Sequence, residues 1–190
     1  MTTAVRPSVT WPPRIVGLLP LTVFFVHWHH HWQLGAPTNM WWMCGVSLMT
    51  LSLGLLVRVA DAVRVATVAF LFGLPLWLTE VMLTHHVTVE SITTHVVGLG
   101  LGLWAMSRVR ASRSTWWKTT AYFLAVQQGS RWFSPPELNV NLAHRMRDGW
   151  DQVFSAYWQY WLVSTVIAVV IFWVIGMLML WRFPPFPEPT

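Results

Sequence analysis

Six stretches of the chain are apolar over enough residues to cross a lipid bilayer. They run approximately over residues 15–32, 39–57, 65–84, 87–107, 115–133 and 157–181. At about 1.5 Å of rise per residue, a helix of about 20 residues covers the hydrocarbon core, which is about 30 Å thick. Charged residues make up only 10% of the chain, against about 25% in a soluble domain. The sequence therefore predicts an all-α, polytopic membrane helix bundle with six transmembrane helices.

The basic residues are distributed unequally between the two sides of these spans. The side that holds both termini carries Arg6, Arg14, Arg58, Arg64, Arg108, Arg110, Arg113, Lys118 and Arg182. The other side carries only Arg131, Arg145 and Arg147. Because cytoplasmic segments carry the excess of Lys and Arg, both termini are predicted to be cytoplasmic, in the cytoplasmic (inner) membrane. Residues 1–14 and 182–190, which contain prolines, then flank a transmembrane domain at 15–181 whose first span is not cleaved as a signal peptide.

This orientation puts all eight histidines of the chain on the extracytoplasmic side. Four of them lie in the stretch FFVHWHHHWQLG at the end of the first span. His27 and His31 are four residues apart, so a helix places both on one face. There a pair of imidazoles can bind a transition metal such as zinc or copper, and a single imidazole can bind a haem or a pigment. The alternative is that these side chains, interleaved with Trp28 and Trp32, only meet water at the membrane surface.

The fourth span carries a histidine away from the surface. Thr88, Ser91 and His95 share one helix face, which Gly98 and Gly102 continue. Small residues spaced by four let helices approach closely in lipid, so this face is predicted to pack against other helices and to bury His95. An ionisable residue inside a span is a candidate functional residue because partners must offset its desolvation. The alternative is a single hydrogen bond between helices from a neutral imidazole.

Other polar residues collect on the same side as the histidines. We group six of them as a candidate polar site: Glu80, His85, His86, Glu90, Gln127 and Arg131. Carboxylates beside imidazoles can ligate a metal, transfer protons or form a hydrogen-bonded turn. Arg131 can pair with Glu80, bind a phosphate or carboxylate head group, or extend to the membrane surface.

The connection between the fifth and sixth spans is predicted to contain a short amphipathic helix over about residues 141–156, lying in the outer interface. Its apolar residues recur at every third or fourth position: Leu142, Met146, Trp150, Val153 and Phe154. Asn139 and Asn141 suit turn and N-cap roles.

Cys44, at the start of the second span, is the only cysteine of the chain. It can pack as a small apolar residue, or it can act as a nucleophile with His95, since a Cys/His pair is the minimum for acyl-thioester chemistry. With Cys44 in WWMCGVSL and His95 in TTHVVGLG, residues 37–105 resemble multi-spanning bacterial membrane proteins related to transmembrane phospholipid acyltransferases. The resemblance implies that Cys44 and His95 are catalytic residues of an enzyme that acts on membrane lipid.

Three classes of function stay open at this point. The chain can be an enzyme that acts on lipid or another amphiphile in the outer leaflet, or a membrane protein that binds a metal, haem or pigment. It can also be a non-catalytic subunit whose 15 tryptophans pack against another copy or a partner in a membrane complex. Nucleic acid is not an expected partner, because the basic residues lie between apolar runs rather than in one patch. The sequence contains no HExxH, GxSxG or phosphate-binding glycine motif.

Overall fold

A computed structural model of the protein describes residues 10–186. These residues form six α-helices: α1 (Leu18–Gln33), α2 (Met43–Val57), α3 (Ala60–Thr84), α4 (Val89–Val109), α5 (Thr115–Phe133) and α6 (Tyr157–Arg182). No β-strand occurs in the described part of the chain, so the predicted all-α class is confirmed. Residues 1–9 and 187–190, which belong to the two predicted terminal segments, lie outside the described residues.

Each predicted span coincides with one helix, with shifts at the ends. α3 begins at Ala60 rather than near residue 65, and α2 begins at Met43 rather than near residue 39 because Pro37–Trp41 forms a 3-10 turn and Trp42 is extended. A second 3-10 turn, Arg14–Gly17, leads into α1. Arg58 ends α2 in the left-handed conformation, with φ 60°, so α3 starts two residues later and forms a tight hairpin with α2.

Two of the six helices, α3 and α6, are long and apolar enough to cross a membrane by length and composition. α1 and α2 have 16 and 15 residues, fewer than the roughly 20 that a full span needs. α4 and α5 are longer but more polar, because they include residues such as Glu90, Arg108, Lys118 and Arg131. By length and apolar composition, two of the six predicted spans qualify as membrane-spanning helices.

α3 is the central helix of the bundle. It contacts α2, α4, α5 and α6, and its first half supplies a run of buried side chains between Val63 and Phe70. One apolar cluster joins Val68 to Met106 of α4 and Phe172 of α6. The core therefore lies toward the end of the bundle that holds the α2–α3 and α4–α5 connections.

Charged side chains stabilise that end of the bundle. We call it the arginine end, after Arg58, Arg64, Arg108, Arg110 and Arg113. Arg64 donates from Nε to the carbonyl oxygen of Arg110 at 2.8 Å and from Nη1 to Asp61 at 2.9 Å. Lys118 of α5 pairs with the other oxygen of Asp61. Because Arg64 occupies a carbonyl that α4 leaves unpaired at its C-terminus, one side chain both caps α4 and ties it to α3.

The small-residue face predicted for α4 packs closely against α3, as expected. A Cβ atom on Gly98 would lie 2.2 Å from the ring of Phe70, and one on Gly102 would lie 2.7 Å from Oγ1 of Thr67. Both distances are shorter than a van der Waals contact. The two helices can therefore meet at this separation only while these positions have no side chain.

The predicted interfacial helix over about residues 141–156 is absent. The structure has two three-residue 3-10 turns there, Val140–Leu142 and Trp150–Gln152, joined by irregular chain. Asn139, Asn141 and Leu142 have φ values of 44°, 53° and 53°, which a right-handed helix cannot contain. The periodic apolar residues instead pack locally, with the ring of Trp150 stacked on that of Phe154 at 5.8 Å.

Substituting Gly98 by Ala is expected to destabilise the protein by about 1–3 kcal/mol, because the buried Phe70 ring has to move to admit a methyl group. The measurement is thermal unfolding in detergent, followed by loss of monodisperse protein. Gly100→Ala is the matched control: Gly100 is exposed on the same helix, and nothing lies within 4 Å of the position of its missing Cβ. Equal stability of the two variants would contradict the close contact between α3 and α4.

Candidate functional site

The structure brings the histidine-bearing segments together at the end of the bundle opposite the arginine end. We call it the histidine end; it consists of the last turns of α1, the start of α2, the end of α3 with the α3–α4 connection, the first turns of α4 and the loop 134–156. Three contacts join these segments: His30 to Glu90 at 3.8 Å, Arg147 to Glu80 at 2.7 Å, and the main-chain nitrogen of Met43 to Asn141 at 2.8 Å.

Two histidines on the inward face of α1 have buried nitrogens without a partner. His27 is only 9% exposed, and its ring centroid lies 4.6 Å from that of His31, with the rings nearly perpendicular. Nδ1 of each ring is buried and has no hydrogen-bond partner in the described part of the chain. Leaving a buried polar atom unpaired costs about 1–3 kcal/mol, so each of these atoms requires an explanation. We call His27 and His31 the histidine pair.

The other two histidines of the run have different surroundings. His30 lies beside Glu90, with 3.8 Å between Nδ1 and Oε1, and both side chains are partly exposed. His29 points away from the bundle and is 3.0 Å from the side-chain nitrogen of Gln33. The run therefore divides into the histidine pair with its two buried nitrogens, one neighbour of a carboxylate and one surface residue.

The histidine pair is not part of a larger preassembled ligand set. Among residues 10–186, no group of three or more His, Cys, Asp or Glu side chains is close enough to hold one metal ion. The pair itself offers two nitrogens, and His30, whose ring centroid is 5.9 Å from that of His31, connects it to Glu90. The metal-binding role of His27 and His31 stays a prediction.

His95 is buried between α3 and α4, as the small-residue face predicts. It is 5% exposed, and its ring stacks on that of Trp77 at 4.3 Å. Nδ1 lies 2.8 Å from the carbonyl oxygen of Ser91, so Nδ1 carries the proton and Nε2 keeps its lone pair. Trp77 in turn donates to the hydroxyl of Ser91 at 2.7 Å. These contacts fix the orientation of the ring.

The structure does not join Cys44 to His95. Within residues 10–186, the His95 ring has a hydrogen-bond partner in Ser91 and none in Cys44. Ser47 and Thr50, one and two turns beyond Cys44, bond to the hydroxyl of Tyr122 at 3.3 and 3.2 Å. This region of α2 therefore faces α5, and the catalytic roles of Cys44 and His95 remain predictions.

The six residues grouped as a polar site do not meet at one place. Glu80 pairs with Arg147 of the loop, so the structure does not form the pairing with Glu80 that was one of the alternatives for Arg131. Arg131 donates instead to the carbonyl oxygen of Ala143 and lies over the ring of Tyr157 at 5.0 Å. His85 and His86 are exposed in the α3–α4 turn, where the left-handed His85, with φ 53°, ends α3.

Gln127 belongs to a network that fixes the loop 134–156. It is buried, accepts a hydrogen bond from Nε1 of Trp161 at 2.8 Å and donates to the carbonyl oxygen of Asn141. Nδ2 of Asn141 donates to the carbonyl oxygen of Trp41 at 2.6 Å and to Ser130 at 2.8 Å. Oδ1 of Asn141 accepts from the first N–H of α2 at Met43, so this asparagine caps a helix 98 residues earlier in the chain.

Two cavities flank α1 at the histidine end. The larger, of about 350 Å³, lies between α1, the 3-10 turn before α2, and α2; it is lined by Phe24, Phe25, Trp28, Pro37, Met40, Trp41, Val46 and Met49. The smaller, of about 210 Å³, lies between α1 and α4 and is bordered by Glu90, Thr22 and Thr93. The first is lined by apolar and aromatic side chains, and the second reaches the carboxylate that contacts His30.

Comparison with known proteins adds no relative. No protein-family model matches the sequence, and no similar protein was found among curated proteins or solved structures. The resemblance to the acyltransferase-related proteins thus rests on the stretches around Cys44 and His95 alone.

Substituting Asn141 by Ala is expected to destabilise the protein by about 2–4 kcal/mol, because three hydrogen bonds of about 0.5–1.5 kcal/mol each are lost. The measurement is unfolding in increasing SDS at a fixed total detergent concentration. Asn141→Gly tolerates the left-handed backbone and so isolates the side-chain bonds. Glu137→Ala, in the same loop and exposed, is the control; a loss as large in this control would contradict the capping role.

Proposed function

We propose that the protein is an integral membrane protein with six spans and both termini cytoplasmic, which binds a lipid or a similar amphiphile in the outer leaflet. The first span then includes the 3-10 turn at Arg14–Gly17, which continues into α1. At about 2.0 Å per residue for the turn and 1.5 Å for the helix, the two together measure about 32 Å. That length suits the hydrocarbon core although α1 alone is too short.

Exposed apolar side chains support a lipid environment around the whole bundle. Every helix has at least one large apolar residue with more than a third of its surface exposed. In the order α1 to α6, examples are Phe25, Leu53, Leu76, Val96, Trp117 and Ile167. Soluble monomers rarely expose large contiguous apolar surfaces. In a membrane, such side chains contact lipid acyl chains, which are also apolar. The excess of arginine at the opposite end from the histidines supports the orientation.

The orientation can be tested with single-cysteine variants in a Cys44→Ser background. A membrane-impermeant maleimide is expected to label His86→Cys in intact cells, because the α3–α4 turn lies outside. Ser112→Cys, in the α4–α5 connection, is expected to react only after the membrane is permeabilised. The reverse pattern would invert the orientation, and labelling of both variants in intact cells would contradict the alternation of spans.

The larger cavity is the observation that carries amphiphile binding. Its volume of about 350 Å³ falls in the range of about 300–1,000 Å³ that is usual for small-molecule sites. Its lining offers contact to a hydrocarbon chain but no charge. His27 and His31 lie on the neighbouring face of α1. A ligand whose hydrocarbon chain occupies the cavity can therefore contact these imidazoles with its polar group at the histidine end. Tryptophans such as Trp28 and Trp41 suit this depth of the membrane.

Filling the cavity is expected to reduce amphiphile binding. Met49→Trp places an indole in the cavity, and labelling by a photoactivatable diazirine fatty acid is expected to fall at least fivefold, with the wild-type label mapping to residues 24–49. Leu53→Trp is the matched control, because Leu53 lies one turn further along α2 and is 49% exposed outside the lining. Wild-type labelling spread evenly over exposed surfaces such as that of α6 would contradict a specific site.

A further inference from the structure

The unpartnered nitrogens of the histidine pair point to a ligand that accepts lone pairs. We propose that His27 and His31 bind one divalent transition-metal ion of the zinc and copper class, at the interface of α1 with α4. This inference does not depend on amphiphile binding, since neither His27 nor His31 lines the larger cavity.

Three features of the pair fit a metal ion. The two residues are four positions apart on one helix, the spacing at which two imidazoles can bind the same zinc ion. Their rings are 4.6 Å apart, and Nδ1 of both is buried and without a partner in the described residues. His27 is more than nine-tenths buried. A residue that only met water at the membrane surface would instead be exposed, as His29 is.

The surroundings of the pair decide what kind of metal ion it can hold. Imidazole nitrogens suit zinc, copper, iron and nickel, and zinc takes about four ligands. The pair supplies two, and because no third His, Cys, Asp or Glu side chain of residues 10–186 is close enough to join it, the remaining positions are left to water. Glu90, whose Oε1 lies 3.8 Å from Nδ1 of His30, also borders the cavity between α1 and α4.

The experiment uses the full chain purified in mild detergent with an affinity tag that contains no histidine, and stripped with a chelator. Zn²⁺ is titrated against a competing chromophoric chelator, and Co²⁺ is added separately for its visible absorption. We expect about one equivalent of Zn²⁺ and a Co²⁺ band typical of nitrogen ligands. His27→Ala and His31→Gln are each expected to weaken binding at least tenfold.

Matched histidine variants separate this site from adventitious binding. His29→Ala removes a histidine from the same run and His86→Ala one from the α3–α4 turn; both are expected to bind Zn²⁺ like the wild type. His31 is only partly buried, so His31→Gln stays informative if His27→Ala does not fold. Less than a tenth of an equivalent in the wild type, or equal losses in the control variants, would overturn the proposal. The cavity variant Met49→Trp is expected to keep its Zn²⁺.

Discussion

The close approach of α3 and α4 is the contact on which the arrangement of the histidine end depends. It exists because Gly98 and Gly102 leave room for Phe70 and Thr67 of the central helix. In lipid, where apolar burial gives no drive for helices to associate, such close packing supplies much of the attraction between them. The same contact buries His95 against Trp77.

The two ends of the bundle are held by different kinds of interaction. At the arginine end, Arg64, Asp61 and Lys118 form a charged network that also caps α4. At the histidine end, the loop is fixed mainly by neutral side chains, above all Asn141 and Gln127, and the buried imidazoles of α1 take no part in that fixing. The groups that stabilise the histidine end are thus separate from those available to a ligand, so a ligand can bind without dismantling the fold.

The helices could be predicted from the sequence because each corresponds to a long apolar run, and the burial of His95 because glycines on its face signal close packing. The loop 134–156 could not be predicted, since its shape depends on the left-handed Asn141, whose partner Met43 is 98 residues away. The pairing of Cys44 with His95 could not be judged either. It depends on the rotation of α2 about its axis, and Ser47 and Thr50 turn that region of the helix toward Tyr122. Apolar periodicity predicts where each helix lies in the sequence, but not which other helices it contacts.

The cap on α2 also has a consequence for the order in which the protein matures. During synthesis, α1, α2 and α3 emerge long before Asn141. The first N–H of α2 and the carbonyl oxygen of Trp41 therefore cannot form their hydrogen bonds to Asn141 until the fifth helix has been made. The entry to α2 is therefore completed by a segment that leaves the ribosome only after α5. A nascent chain that stops after α4 carries every residue of its first four helices but not the residue that finishes the second.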